Sequence, residues 1–371
     1  MQCQSILPAR LPLELTHGRA QAFTGLSIPF NKIASIRLER EGRLRLLTLV
    51  AGGLLLLHAP SAARAQTVWD MATEYPQSAM PGLGMTAFAA HVAALTDGKV
   101  VIQPSFDAAK GIRSADMLSA IAQGRVQAGD AFAGALEAED AIFALPSLPF
   151  LVTSISDARQ LADLARPTIA AALQQRGQRL LYLTPWPPSG IWSKMRLRTA
   201  TDLASLSIRT YDRISREVFA SAGAKASSIS FAELMPRLTD GSINAVLSSG
   251  DGGISRTLWE YLPYFTEITY SLPMSVASVN QAAFDRLTPE LMEAVDTAGR
   301  LTETGSWVAL ASRLEQNHRR MRERGVTIDS DPAPVLIAAL RQGAAAAREE
   351  WCARSGPTCE KILGVFKASK P

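Results

Sequence analysis

The chain has 371 residues, with 38 Lys or Arg against 34 Asp or Glu and a formal net charge of +4. The excess is local: eight of the basic and three of the acidic residues fall within residues 1–65, which leaves 30 against 31, a net of −1, for residues 66–371. A chain so balanced beyond its first 65 residues carries no electrostatic footprint for nucleic acid, and its remaining 306 residues suffice for two lobes, each with its own core.

Arg43 and Arg45 precede the apolar run Leu46 to Leu57, and Ala63-Arg64-Ala65 before Gln66 has the small-x-small form of a cleavage site. The pattern predicts a Sec-type signal peptide, export to the periplasm and a mature chain from Gln66. Some forty residues stand before the basic pair, so the expected translation start lies further in, at a codon now read as Leu38 or near it; a genuinely extended leader is the alternative. No stretch approaches the roughly 20 apolar residues of a membrane helix, so no stable membrane insertion of the mature chain is expected. Cys352 and Cys359 flank a turn-rich hexapeptide, which favours a disulfide over two free thiols in an oxidising compartment. After the leader the histidines are His91 and His318, far apart and without carboxylates at ligand spacing, so no metal is expected.

In chain order, Gln66 to Glu74 reads as an opening strand stopped at Tyr75-Pro76. Gly82-Leu83-Gly84-Met85-Thr86-Ala87 matches a dinucleotide fingerprint before a helix over Met85 to Thr96. Two prolines stretch the connection, and the next strand, Lys99 to Gln103, ends without a ribose-binding carboxylate, so no cofactor is expected. Strands at Val100 to Ile102, Val126 to Phe132 and Arg179 to Thr184 alternate with helices at Ser114 to Gln123 and Asp157 to Arg176, a rhythm that predicts a mostly parallel sheet covered on both faces. Trp186-Pro187-Pro188-Ser189-Gly190-Ile191-Trp192 reads as a stiff crossing between lobes, whose two tryptophans offer a ligand flat surfaces.

Beyond the crossing, Leu206 to Asp212 alternates as a strand. Leu206, Ile208 and Thr210 share one face, and Ser207, Arg209 and Tyr211 the other. A guanidinium that cannot lose its charge holds a carboxylate by two parallel hydrogen bonds, and Tyr211 adds a ring and a hydroxyl. A helix spans Ser215 to Ala222, and Ser230 with Glu233 forms a capping box for another. Asn244 to Leu247 is a strand opening into Ser248-Ser249-Gly250-Asp251-Gly252-Gly253, a loop whose amides suit an anion or a plain flexible turn. A strand at Pro273 to Val279 precedes a helical run from Pro289 to Arg324 that approaches about 50 Å and braces two lobes.

The order of these features resembles the substrate-binding subunits of TRAP transporters, of the DctP type, over nearly the whole mature chain. The resemblance rests on Leu148-Pro149-Phe150, Asp202-Leu203 to Ile208-Arg209, Gly223 with Glu233-Leu234, Asp240 to Asn244, and Asn280 to Phe284 before the long helix. It implies an α/β periplasmic-binding-protein fold, with residues 66–186 and about 275–314 in lobe I and residues 187–274 and about 315–371 in lobe II, and a long helix spanning both. It implies a small organic acid captured between the lobes, delivered to TRAP membrane permease subunits, with Arg209 clamping the carboxylate. Sialic-acid-type members carry a second arginine where this chain has Trp192 and Ser193, and an Glu-Asn-Pro loop where it has Leu247-Ser248-Ser249. The expected site is therefore Arg209, Trp192, Tyr211, Trp186, Phe132, Ser248 and Ser249, with Tyr75 nearby. Glu74 meets a cationic or hydroxyl group of the ligand or ends the strand in solvent. The expected ligand is a monocarboxylate with an apolar or aromatic body. A ligand-sensing subunit is the alternative. A secreted α/β enzyme is the less favoured one, since the mature chain lacks G-x-S-x-G, H-E-x-x-H and any Cys-His arrangement.

Overall fold

The structure, a computed structural model, describes residues 66–368; the leader, its cleavage site and Cys3 lie outside them. Lobe I opens with β1 (Thr67–Thr73), the helix α1 (Met80–Leu95), β2 (Val100–Ser105), a tight turn leading into α2 (Met117–Ala122), and β3 (Ala128–Phe132). It continues through α3 (Ile155–Gln174), which Ser154 starts by accepting the Asp157 N–H at 3.0 Å, into β4 (Gln178–Pro185). Lobe II follows with β5 (Ser189–Ser193), α4 (Ala200–Ala204), β6 (Ser207–Thr210), α5 (Arg213–Ser221), β7 (Lys225–Ser228), α6 (Leu234–Thr239), β8 (Ala245–Ser249), α7 (Gly250–Ser255) and β9 (Tyr264–Thr266). The chain then returns to lobe I as β10 (Met274–Asn280) and α8 (Gln281–Phe284). It ends with α9 (Pro289–Glu323), β11 (Thr327–Asp329) and α10 (Pro334–Ser355), followed by short helical turns.

Two sheets result, ordered β2-β1-β3-β10-β4 and β11-β9-β5-β8-β6-β7. Neither is as parallel as the strand-helix rhythm implies. β10 runs antiparallel between β3 and β4, and β5 runs antiparallel to both β8 and β9. Each of these strands enters its sheet directly from the other lobe, without a crossover helix to turn it parallel. The two crossings lie side by side: the Trp186 N–H donates to Pro273 O, Ser189 N–H to Ser271 O, and Tyr270 N–H to Ser189 O, each at 2.9 Å.

The 35-residue α9 lies against both lobes. A Cβ at Gly299 would stand 2.4 Å from Leu181 O of β4, so glycine there lets the helix settle onto the lobe I sheet; further along, Asn317 and Met321 support Gly250 of α7 in lobe II. α10 packs on α5 while the Trp351 indole N–H donates to Ala141 O at 2.7 Å, and Cys352 is bonded to Cys359 just beyond. Gly82 and Gly84 sit inside α1, where a Cβ would meet Pro76 O at 2.3 Å and the Thr184 hydroxyl at 3.2 Å. They serve close packing, not a phosphate turn. No helix among the described residues is long and apolar enough to cross a membrane.

Candidate ligand-binding site

The cleft between the sheets is floored by strand ends. β6 presents Ile208 to the lobe II core and Arg209 to the cleft, as alternation requires. Arg209 is only 3 % exposed; its Nε–H donates to Ile229 O at 2.7 Å and its Nη1 to Leu247 O at 3.4 Å. Among the described residues no carboxylate lies within ion-pair distance of it. Burial pulls its pKa below the ordinary guanidinium value, with Tyr75 and Glu74 acting in the opposite sense. A buried cation held by carbonyls alone is an anion site in waiting.

Arg209 stands at the junction of two chambers. The inner one, ≈ 30 Å³, is walled by Tyr75, Phe132, Trp186, Tyr211 and Phe231, with Ser189, Ser248 and Ser249 as polar groups. The outer one, ≈ 660 Å³, opens to a charged rim. Between them, rings from the two lobes meet in pairs: Phe132 with Tyr211 at 4.9 Å between centroids, and Tyr75 with Phe231 at 4.8 Å. Tyr75 also meets the Trp186 ring edge-on at 4.8 Å. Burial and the neighbouring Asp212 carboxylate push the Tyr211 phenol up, so it stays protonated, and it shares a 2.8 Å hydrogen bond with the Ser271 hydroxyl. At the rim, Glu137 takes Arg213 at 2.6 Å and also Arg354, while Arg113 pairs with Glu233 at 3.2 Å.

The expected residues Arg209, Tyr211, Trp186, Phe132, Ser248 and Ser249 come together here. The Trp186 N–H is already given to the Ser275 hydroxyl at 3.0 Å, so this tryptophan offers a ligand its ring only. Trp192 does not join them. The crossing ends at Pro188, and Trp192 lies within β5, fully buried against Phe265, with its N–H on Ser249 O at 3.2 Å and its ring under Gly253. It props the site from behind.

Three further expectations meet the structure. The glycine-rich segment after β8 is neither an anion-binding loop nor a flexible turn but α7: Ser249 accepts the Gly252 N–H at 3.1 Å as its cap, and Cβ atoms at Gly252 and Gly253 would stand 2.4 Å from the Ser248 hydroxyl and 2.2 Å from the Trp192 ring. The Ser230–Glu233 box closes a turn, and α6 begins only at Leu234. Glu74 lines the outer chamber but is not a solvated strand end. Its carboxylate is 2 % exposed and accepts backbone N–H groups from Ser114, from Phe231 at 2.6 Å and from Ala232 at 3.3 Å. Phe231 is the wall that sequence reasoning missed; a lone aromatic in a polar turn carries no periodic signal, and only the Ser230–Glu233 turn marks the place.

The sequence profile described as DctP, bacterial extracellular solute-binding protein, family 7, matches residues 71–352. No curated protein matches the chain. Among solved structures, DctP7 of Bordetella pertussis, an extracytoplasmic solute receptor binding pyroglutamic acid, is 27 % identical with a TM-score of 0.78, over 81 % of this chain and 99 % of that one. DctP6 of the same organism, also binding pyroglutamic acid, is 25 % identical with a TM-score of 0.78, over 82 % and 100 %. A TRAP periplasmic solute binding protein from a Sulfitobacter species, with bound β-D-galacturonate, shares the fold at 18 % identity and a TM-score of 0.74, over 82 % and 100 %. With two mixed sheets, a helix against both and a buried arginine in the cleft, the chain belongs to the DctP family, the family 7 bacterial extracellular solute-binding proteins.

Proposed function

We propose that this protein captures a small, flat monocarboxylate in the periplasm and hands it to a TRAP-type membrane permease. The observation that supports this reading above the others is Arg209, a buried guanidinium with carbonyl partners and no carboxylate. A bound carboxylate supplies the missing counter-charge through two parallel hydrogen bonds, in a site from which water is largely excluded. The rings of Tyr75, Phe132, Trp186, Tyr211 and Phe231 favour an apolar or cyclic body, since apolar contact is worth about 25 cal/mol per Å² and a ring offers its whole face. Hydroxyls of Ser189, Ser248 and Ser249 are the polar groups left for a carbonyl or N–H on that body. Pyroglutamate, the ligand of the two Bordetella relatives, fits this description and is the first compound to test.

Calorimetry on the exported chain, with pyroglutamate beside proline, aromatic acids, succinate and hexuronates, tests the class. Tight binding of succinate or a hexuronate with silence from cyclic and aromatic monocarboxylates overturns it. Genes for permease subunits beside this one distinguish delivery from sensing.

A further inference from the structure

We infer that Glu74 is the positioning residue of lobe closure, a carboxylate from lobe I that holds the lobe II segment at Phe231 and Ala232 over the ligand chamber. The inference rests on the proposed capture of a ligand between the lobes, and extends it to the protein's own closing contact.

Glu74 follows β1 at the cleft and is 2 % exposed. One carboxylate oxygen accepts the Ser114 N–H, from lobe I itself. The other accepts the N–H groups of Phe231 at 2.6 Å and Ala232 at 3.3 Å, from the turn between β7 and α6 in lobe II. A buried carboxylate that receives donors from both lobes is satisfied only when the lobes are together. Opened, the buried Phe231 amide, the half-buried Ala232 amide and one carboxylate oxygen exchange these bonds for bonds to water. The same turn carries Phe231, whose ring meets Tyr75 at 4.8 Å and walls the inner chamber, so the latch fixes the wall that faces the ligand.

Other contacts between the lobes differ in kind. Arg113 with Glu233 and Arg256 with Asp107 are ion pairs with at least one half-exposed partner, a class that contributes little. Asp251 accepts the Met80 N–H at 2.9 Å and pairs with Arg313 of the helix that lies against both lobes. Glu137 of lobe I, 6 % exposed, takes the Arg213 and Arg354 side chains of lobe II at the outer rim. At the inner chamber Glu74 joins the lobes by charge-assisted bonds whose partners are all backbone, so its contribution to closure does not depend on which acid is bound.

The test compares wild type, Glu74→Ala, Glu74→Gln and Asp107→Asn, each unfolded and refolded to strip carried ligand. Small-angle scattering of the ligand-free proteins reads closure, and stopped-flow tryptophan fluorescence with pyroglutamate as probe reads the rates. Loss of the charge-assisted bonds in Glu74→Ala should lower the closed-to-open ratio on the order of tenfold, seen as a larger radius of gyration, and raise the dissociation rate by a similar factor with the association rate unchanged. Glu74→Gln, which keeps one acceptor oxygen, should fall between, and Asp107→Asn, which removes the exposed inter-lobe pair with Arg256, should stay within about twofold of wild type. A merely structural role would lower the melting temperature and leave the scattering profile of the folded protein unmoved. Identical ligand-free profiles for wild type and Glu74→Ala overturn the latch. A wild type that ignores pyroglutamate overturns the choice of ligand, and the scattering comparison still decides the latch.

Discussion

Replacing Arg209 by Met separates binding from stability. The side chain is 3 % exposed and gives hydrogen bonds to Ile229 O and Leu247 O, the second a long one at 3.4 Å. In the ligand-free fold the substitution removes a desolvated cation, a change that is neutral or stabilising by about 1 to 4 kcal/mol when the replacement packs well. It also strands two carbonyls, at a cost of about 1 to 3 kcal/mol each when no water reaches them. These opposing terms nearly cancel, so the ligand-free melting temperature should stay within a few degrees of wild type. Binding has no such compensation. A ligand carboxylate left without its guanidinium in a buried site loses about 3 to 5 kcal/mol, or roughly 150-fold to 5,000-fold in Kd. Arg209→Lys restores charge without the planar fork and should recover only part of that loss. Differential scanning fluorimetry with and without pyroglutamate reads both quantities in one plate, and calorimetry supplies the Kd. A Kd for Arg209→Met within tenfold of wild type would refute the clamp.

Asp130 is buried in the β3 row beneath the chamber without a hydrogen bond of good geometry, and burial lifts its pKa to about 7, with the Ser275 and Thr73 hydroxyls opposing. A carboxyl whose folded pKa is raised gives stability that is complete below its unfolded value and declines as pH rises through the folded one. Asp130→Asn should therefore gain on wild type between about pH 4 and pH 7, by on the order of a few kcal/mol, and hold that gain above pH 7; urea unfolding at stepped pH checks the slope. Reducing Cys352–Cys359, which closes a loop with a sequence separation of 7, should cost about 2 to 3 kcal/mol in thermal unfolding, and a cost near 5 would contradict a short-loop account. Gly253→Ala drives a methyl into the Trp192 ring, since its Cβ would stand 2.2 Å away, and should destabilise by about 1 to 3 kcal/mol while weakening binding through displacement of Ser248 and Ser249. An unchanged melting temperature would rule out that packing.

Much of the site was legible because strand alternation is a local rule. It put Ile208 on the apolar face and Arg209 on the opposite one, and the structure has Ile208 in the core and Arg209 on the cleft side that the family resemblance implied. The same rule could not place Trp192, because whether the crossing ends before or after it depends on where β8 and β9 lie to receive the strand. Glycines misled for a related reason. Gly250, Gly252 and Gly253 carry little intrinsic helix bias; Ser249 caps the segment as a helix, and Met321 and Asn317 at Gly250 and Trp192 at Gly253 leave no room there for a larger residue.

Hydrophobic runs, caps and breakers determined by themselves the main strand-helix rhythm and that α9 is one long helix, because each depends on neighbours within a few residues along the chain. Only the tertiary structure decided which strands turn antiparallel, that Glu74 accepts backbone N–H groups from two lobes, and that Phe231 completes the chamber. Those contacts join residues as far apart as 74 and 231, and a carboxylate's partners over such a separation are fixed by how two lobes meet, which no local pattern encodes.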